Sequence, residues 1–594
     1  MQGIQLNLVL DDQPFVNFNE SLLRRNSIYL GFGYSLVNVT TLTSWHFDTF
    51  DMPFTPQADT WYTIRTVLDG QHISVSVDAF PVFKVPLADY PINDPRYPNG
   101  VVSSKGSFGF GGWQDQAAFI RNVVVRDTHN GTELYRNPLT DASPDGPVRE
   151  YGVRANDAPA CLDGPKRDRL VWLGDLLHTV RISAASTSRS DLIQGTLRYL
   201  LDWQTSSGLL SYYPPIGYDP AVASYAFSRG GGQHFMGAET YSIILVDYQI
   251  LGLLSFTDYV RLSNDLKFVK ETWTQWNANL DFLLASISPD TGLLSLFGAF
   301  LGPSQGGAAI NCALVQALHE MADVADALEE VEASETFRGL ASGLITAINN
   351  NLWNETAGIY NDSPSHPGQF SVPSMGFCIT SGTASEEQAE RFLSHLGDLK
   401  LGPGYKDSSS SDSSDPSTKL SPNTNGFLLP AMLGRNSTGS ANSAIDLIRS
   451  LWTPMISDIR TTSGASWEYV SQCGKPGLGL YTSLAHPWGG APTYLLTDYV
   501  AGIRAVRGAE GFGYKRWVVS PQVGVDAGLR SAAGKVATPY GSLEAEWHID
   551  DHGVMKASIQ APLDTHGSFT LGGISMELSG KTTYDIEFEW KQAG

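Results

Sequence analysis

Asp163-Gly164-Pro165-Lys166-Arg167-Asp168-Arg169-Leu170-Val171-Trp172-Leu173-Gly174-Asp175 holds three carboxylates, two arginines and a tryptophan within thirteen positions. It runs from a Gly-Pro turn to a Gly-Asp helix start. A solvated surface turn accommodates such charges but has no use for the tryptophan. Arginines hold neighbouring carboxylates ionised and oriented, and an aromatic face suits the C–H face of a sugar ring. On these residues alone two readings stand, a catalytic loop and a surface ion-pair cluster.

A second stretch lies far downstream. Ala465-Ser466-Trp467-Glu468-Tyr469 is followed by Ala485-His486-Pro487-Trp488-Gly489-Gly490-Ala491-Pro492-Thr493. Together the two stretches resemble glycoside hydrolase family 78, the α-L-rhamnosidases, and especially its fungal members. In that family a D-x-x-x-R-[D/E]-R-x-x-W-x-G-D loop carries the general acid, a later W-E the general base, and an H-x-W segment lines the sugar site. The resemblance implies an inverting hydrolase that releases terminal non-reducing α-L-rhamnose from plant glycosides or polysaccharide side chains. It places the acid at Asp168 and the base at Glu468. By the same resemblance Asp163 and Asp175 bind sugar hydroxyls, and Trp467, His486 and Trp488 belong to the sugar site.

Outward from the first stretch, from Asp175 to about Ile503, apolar residues recur with helical period. Leu314, Val315, Leu318, Met321, Ala322, Ala325 and Leu328 trace one helix face. Similar stretches run over Asp191–Trp203, Glu239–Leu254, Phe337–Leu352, Glu386–Leu396, Ala441–Leu451 and Thr493–Val506. Many helices joined by long Gly/Pro-rich loops fit an (α/α)6 barrel, which the resemblance also implies. Lys406 to Lys419 is rich in serine and aspartate and reads as a mobile inserted loop.

The flanks read as β. His72–Asp78 alternates with period two after Asp69-Gly70, and strands are expected at Ser107–Gly111 and Phe119–Arg126. Past Gly508, strands are expected at Trp517–Val519, Ser542–His548, Val554–Ile559, Ser568–Leu571 and Asp585–Trp590. The expectation is a multidomain α+β chain. An antiparallel β-sandwich or jelly roll over 1–150 and an antiparallel C-terminal sandwich over 508–594 flank a barrel over 151–507. The first module either binds carbohydrate through an exposed aromatic platform or only packs.

Lysine and arginine total 39 against 61 aspartate and glutamate, a formal charge of −22. That speaks against nucleic acid and anionic membranes as partners and is compatible with a neutral carbohydrate. The apolar run Tyr241–Phe256 is interrupted by Asp247 and Gln249 and reads as a buried helix rather than a membrane span. No zinc-type spacing or phosphate-cradling loop is found, so neither metal nor cofactor is expected. Six sequons, at Asn19, Asn38, Asn130, Asn354, Asn361 and Asn436, point to a secreted enzyme; the N-terminus lacks a signal-peptide pattern, as in a processed or truncated form.

An inverting glycosidase needs one protonated carboxyl and one carboxylate ~6.5–9.5 Å apart, with water between. Many family members carry glutamate where Asp168 stands, and aspartate is one methylene shorter. Asp163 and Asp175 are therefore fallback acids, and Glu239 a weaker spare. Arg167 orients carboxylates or a hydroxyl, or makes a structural ion pair. Trp172 and Trp488 wall the pocket against the sugar's methyl group or lie in the core, and His486 bonds the sugar or caps. Two other classes remain open: a polysaccharide lyase on this barrel, with Arg167 and Arg169 neutralising a uronate, and a non-catalytic carbohydrate-binding protein. Cys312 and Cys378 read as small buried hydrophobes. Cys161 and Cys473 flank the two carboxylate stretches and are the pair that could be bridged, or both are free.

Overall fold

A computed structural model describes residues 4–10, 24–32, 45–91, 109, 118–140, 150, 152–166, 169–214, 216–221, 245–296, 298–435 and 437–590. The chain divides into two compact bodies between residues 151 and 152.

In the first body, β1 (Ile4–Val9), β2 (Ser27–Phe32) and β3 (Trp45–Asp51) form one antiparallel sheet, and β4 (Ile64–Leu68), β5 (His72–Val77) and β6 (Phe80–Pro86) another. The alternation in β5 does what its period demands: Ile73, Val75 and Val77 are buried. They share a core with Ile28, Leu30 and Phe83, where Phe50 stacks on Phe83 at 4.0 Å. A hairpin of β7 (Val123–Arg126) and β8 (Glu133–Asn137) follows. The strand expected at 119–126 is thus shortened to its end, and the one at 107–111 lies outside the described residues. Trp61 is half exposed, and the Arg121 guanidinium sits 3.8 Å over one face of its ring.

The second body holds helices α1 (Leu176–Ala185), α2 (Ser190–Asp202), α3 (Val246–Ser263), α4 (Leu266–Leu284), α5 (Ala308–Ala327), α6 (Val331–Leu352), α7 (Val372–Thr380), α8 (Glu386–Ser394), α9 (Pro422–Leu433) and α10 (Thr438–Leu447). Burial alternates along this series. α3, α5, α7 and α9 are buried nearly all round, whereas α2, α4, α6 and α8 bury one stripe. That is the signature of an inner ring wrapped by an outer one. The inner ring runs α1–α3–α5–α7–α9 and closes through the short helix Pro492–Leu495, which packs on both α9 and α1.

Several expected helices have other limits. The stretch read from Glu239 is described only from α3 onward and continues to Ser263, where Asn264 caps it at φ +55. The helix read as Ala441–Leu451 widens into a π-turn at Ile448–Trp452. The one read as Thr493–Val506 stops at Gly502, φ +89, because Ile503–Ala505 leaves to pair with a strand. Lys406–Lys419 is a folded strap rather than an unanchored loop. The Lys406 ammonium, 6% exposed, donates to the Ser411 carbonyl at 2.7 Å and Ser413 Oγ at 3.0 Å and gathers the serines around it.

The C-terminal strands are β9 (Ile503–Ala505), β10 (Arg516–Val519), β11 (Ser531–Thr538), β12 (Gly541–Ile549), β13 (Val554–Gln560), β14 (His566–Leu571), β15 (Ile574–Leu578) and β16 (Thr583–Glu589). They form two four-stranded sheets, β9-β10-β14-β15 and β11-β12-β13-β16. One pair departs from the expected antiparallel pattern: β10 and β14 are parallel, because β11–β13 cross to the other sheet between them. Trp517, Trp547 and Phe569 fill the core between the sheets.

The cysteine reading is corrected for one pair: Cys312 and Cys378 are buried as expected but bonded to each other, and of the two alternatives for Cys161 and Cys473 the free one holds. Cys312 of α5 and Cys378 of α7 form a disulfide with Cα atoms 4.8 Å apart, since neighbouring inner helices cross there. Cys161 and Cys473 are free. Cys161 sits against α2, its N–H donating to Thr196 Oγ1, and Cys473 is exposed in the turn at Ser471–Lys475.

Candidate active site

The first stretch folds as a closed loop. Asp163 N–H donates to the Leu170 carbonyl at 3.1 Å, and Asp163 Oδ1 accepts the Leu170 N–H at 2.9 Å. Arg169 takes φ +56 to complete it, a left-handed conformation that non-glycine residues adopt uncommonly. Arg167 and Asp168 lie outside the described residues, as does Glu239. Leu173 N–H then bonds the Tyr212 carbonyl, and α1 starts after Asp175.

Inner-helix starts from distant parts of the chain meet at Asp175. Its Oδ1 accepts the Tyr248 hydroxyl at 3.1 Å, from the first turn of α3, and its Oδ2 lies 3.2 Å from His486 Nε2. Because a carboxylate accepts, His486 carries its proton on Nε2; its Nδ1 is buried with no hydrogen-bond partner. Gly174 is required here, since a Cβ would fall 2.6 Å from the Tyr248 ring. Asp175 and His486 are 6% and 4% exposed, so water does not screen this pair.

Glu468 is joined to the same group. Its N–H donates to the Ser483 carbonyl at 2.9 Å, and its Oε2 accepts the Ser483 N–H at 3.2 Å. Its carbonyl accepts the Trp488 indole N–H at 3.0 Å, and the Trp488 ring meets His486 edge-on at 4.7 Å. Gly164 packs on the Ser483–His486 segment, which brings the Asp163 loop onto the Glu468 loop.

An arc of rings surrounds these carboxylates. Trp172 lies 5.0 Å from Tyr213, 5.9 Å from Tyr212 and 5.8 Å from Tyr248. Phe300 bridges Tyr248 at 6.2 Å and Trp488 at 5.7 Å, and Tyr469 meets Trp488 at 5.5 Å. Buried Asp247 supports Phe300 by accepting the backbone N–H groups of Phe300 and Leu301, and burial pushes its carboxyl up to about 6. Burial, then the adjacent Asp175, hold the Tyr248 phenol well above its ordinary range, so it stays a donor.

Of the residues expected from sequence, Asp163, Asp175, Glu468, His486 and Trp488 converge, and Trp172 stands on the aromatic arc. Trp467 is corrected: it is fully buried in the helical core, its backbone N–H donating to Met455 Sδ at 3.3 Å, with no surface to offer a sugar. Tyr248, Asp247, Phe300 and Ser483 escaped the sequence reading. Asp247 did leave a signal, a carboxylate in an apolar helix, which must find partners. Among the described residues no group of His, Cys, Asp and Glu is arranged to hold a metal, and no helix is long and apolar enough to cross a membrane. A cavity of about 600 Å³, lined in part by Val180, Gln194, Tyr259, Asp265 and Thr538, contains none of the converging residues.

A ring of paired helices whose loops gather carboxylates and aromatics defines a six-hairpin glycosidase. Residues 148–371 match the model of the bacterial α-L-rhamnosidase six-hairpin glycosidase domain, and residues 502–583 that of the bacterial α-L-rhamnosidase C-terminal domain. The chain belongs to glycoside hydrolase family 78. Among solved structures it is similar to the family 78 rhamnosidase of Bacillus sp. GL1, with 20% identity over 69% of this chain and 39% of that one, TM-score 0.54. The α-L-rhamnosidase of Aspergillus terreus follows with 16% identity, 74% and 48% coverage, and TM-score 0.52. That of Streptomyces avermitilis, solved with L-rhamnose, has 16% identity, 71% and 36% coverage, and TM-score 0.51. The chain thus spans less than half the length of each of these three. No curated protein matches it.

Proposed function

We propose that the chain is an inverting glycoside hydrolase that removes terminal α-L-rhamnose from rhamnosides, with Asp168 as general acid and Glu468 as general base. The observation that carries this reading is the hydrogen-bonded set Asp175–His486 and Trp488–Glu468 inside a family 78 barrel. Asp163 lies in the loop ahead of α1 and Asp175 at that helix's start, where a polyol's hydroxyls meet acceptors, and the Trp172 and Trp488 rings suit the methyl and C–H faces of a deoxy sugar. Glu468, oriented by Ser483, takes a proton from the attacking water while Asp168 protonates the departing oxygen, and the anomeric configuration inverts. The disulfide Cys312–Cys378 supports export to an oxidising compartment.

The test is hydrolysis of an α-L-rhamnoside followed by proton NMR, in which β-L-rhamnose forms first. Asp168→Asn and Glu468→Gln each lower kcat by about 10²-fold or more. Early α-L-rhamnose, or near-normal kcat of Asp168→Asn on a poor leaving group, refutes the assignment.

A further inference from the structure

The cavity of about 600 Å³ lies at the far ends of the helices that carry the candidate site. Tyr248 stands in the first turn of α3 and Tyr259, which lines the cavity, near its last, about 16 Å apart along the axis. The volume is that of a ligand site, in the range of about 300–1,000 Å³, and far above the voids of packed interiors. Loose docking does not produce it. The hairpin β11–β12, whose Ala537–Pro539 line one side, is pressed onto its surroundings on either side of that stretch. A Cβ on Gly534 would fall 2.6 Å from the Ala501 Cβ, and one on Gly513 3.1 Å from the Pro539 ring. Asn264 Nδ2 donates to Tyr540 Oη at 3.2 Å.

The lining restricts what can sit there. Its two carboxylates are already committed. Asp265 Oδ2 accepts Gln194 Nε2 at 2.6 Å and Tyr259 Oη at 2.8 Å, and its Oδ1 accepts the Phe268 N–H at 3.1 Å. Asp191 is held at both oxygens by Arg189, at 2.7 Å each. A cation therefore meets no free carboxylate, and no Lys, Arg or His lines the cavity to meet an anion. The uncommitted polar groups are neutral. The Ser188 and Ser190 hydroxyls and Gln194 Oε1 have no partner among the described residues. Ser188 takes φ +55 just past α1, where glycine is the usual residue, and so keeps a hydroxyl on the rim. Val180, Ile193 and Leu262 add aliphatic wall. Neutral donors and acceptors beside aliphatic surface match a neutral sugar, which presents hydroxyls and C–H groups together.

We propose that this cavity is a second carbohydrate site, which takes one neutral sugar residue remote from the carboxylates. The proposal goes beyond the rhamnosidase reading and does not depend on it. Ile193 supplies a local reporter. The experiment titrates L-rhamnose into the full chain, deuterated and carrying carbon-13 only at isoleucine δ1 methyls, with the Ile193 signal assigned by Ile193→Val. That signal shifts and saturates with a Kd on the order of 1 mM, the affinity of one small polar ligand. Ala537→Trp, at an exposed rim position, weakens the Kd about tenfold by filling the space, and leaves kcat on an α-L-rhamnoside unchanged. D-galacturonate binds at least about tenfold more weakly, since its charge meets no counter-charge, and calcium chloride leaves the signal in place. An Ile193 signal that does not saturate by about 100 mM L-rhamnose overturns the proposal. So does an equal Kd for galacturonate, a saturating shift with calcium, or a Kd untouched in Ala537→Trp. If that variant loses the wild-type methyl spectrum, Ser190→Tyr on the opposite rim takes its place. A wild type that cleaves no rhamnoside counts against the rhamnosidase reading alone, and the titration still decides the cavity.

Discussion

Gly164→Ala probes whether the two carboxylate loops, over three hundred residues apart in sequence, really touch. A Cβ at Gly164 would lie 2.6 Å from Ser483 Oγ, 3.0 Å from His486 Nδ1 and 3.2 Å from the Ala485 carbonyl oxygen. The Ser483 hydroxyl can rotate, since its bond to that carbonyl is long at 3.4 Å. The backbone carbonyl cannot, so the Ser483–His486 segment shifts by tenths of an ångström in a tightly packed place. Such overpacking destabilises by about 2 kcal/mol, partly offset by the stiffer unfolded chain that alanine brings. Ser483→Ala alone loses one long hydrogen bond, about 1 kcal/mol. In the double variant the closest clash disappears, so it is more stable than the sum of the singles by about 1 kcal/mol. Urea unfolding of the four proteins by tryptophan fluorescence measures that coupling. Because Ser483 and His486 orient Glu468 and Asp175, kcat of Gly164→Ala falls about tenfold and recovers in part in the double variant. Additivity within about 0.5 kcal/mol, with kcat untouched, would refute the contact between the loops.

The disulfide and pH give two further predictions. Cys312→Ala with Cys378→Ala opens a crosslink spanning 66 residues, worth about 4 kcal/mol in the chain-entropy model, and a calorimetric scan shows Tm lower by roughly 5 °C. An unchanged Tm, or free thiols at both positions in protein made under oxidising conditions, contradicts the pairing. Asp247, Asp407 and Asp498 are each raised by burial to about 6, so between the ordinary carboxylate range and pH 6 the native state binds protons the unfolded chain has released. Their contribution to stability grows as pH falls through 6. His178, depressed by burial to about 3, and His319, also lowered by burial, act the other way below the ordinary 6.5, two groups against those three carboxyls. Tm is therefore higher at pH 5 than at pH 7.5, and a Tm that rises between those values overturns the balance.

The barrel was legible wherever its reason was local. The apolar period of 314–328 and the alternation of 72–78 are properties of a few consecutive residues, and each produced the expected element. The motif loop, Glu468, His486 and Trp488 were legible through the family resemblance, and the structure brings Asp163, Asp175, Glu468, His486 and Trp488 together. Helix ends were less so: Thr493–Val506 keeps its apolar pattern across Gly502, yet the chain turns there into a sheet, pairing with Arg516–Val519 and with two further strands some sixty residues on.

Sequence alone thus determined the order of β, α and β segments and the acidic, sugar-compatible character of the chain, and the family resemblance pointed to most of the polar residues that converge. Tertiary structure alone decided which cysteines pair, because pairing follows which inner helices cross, and α5 meets α7 while Cys161 and Cys473 face different neighbours. It also removed Trp467 from the site and brought in Tyr248, Phe300 and Ser483. Those roles depend on the closure of the helix ring, which sets side by side residues that no local period or motif spacing connects.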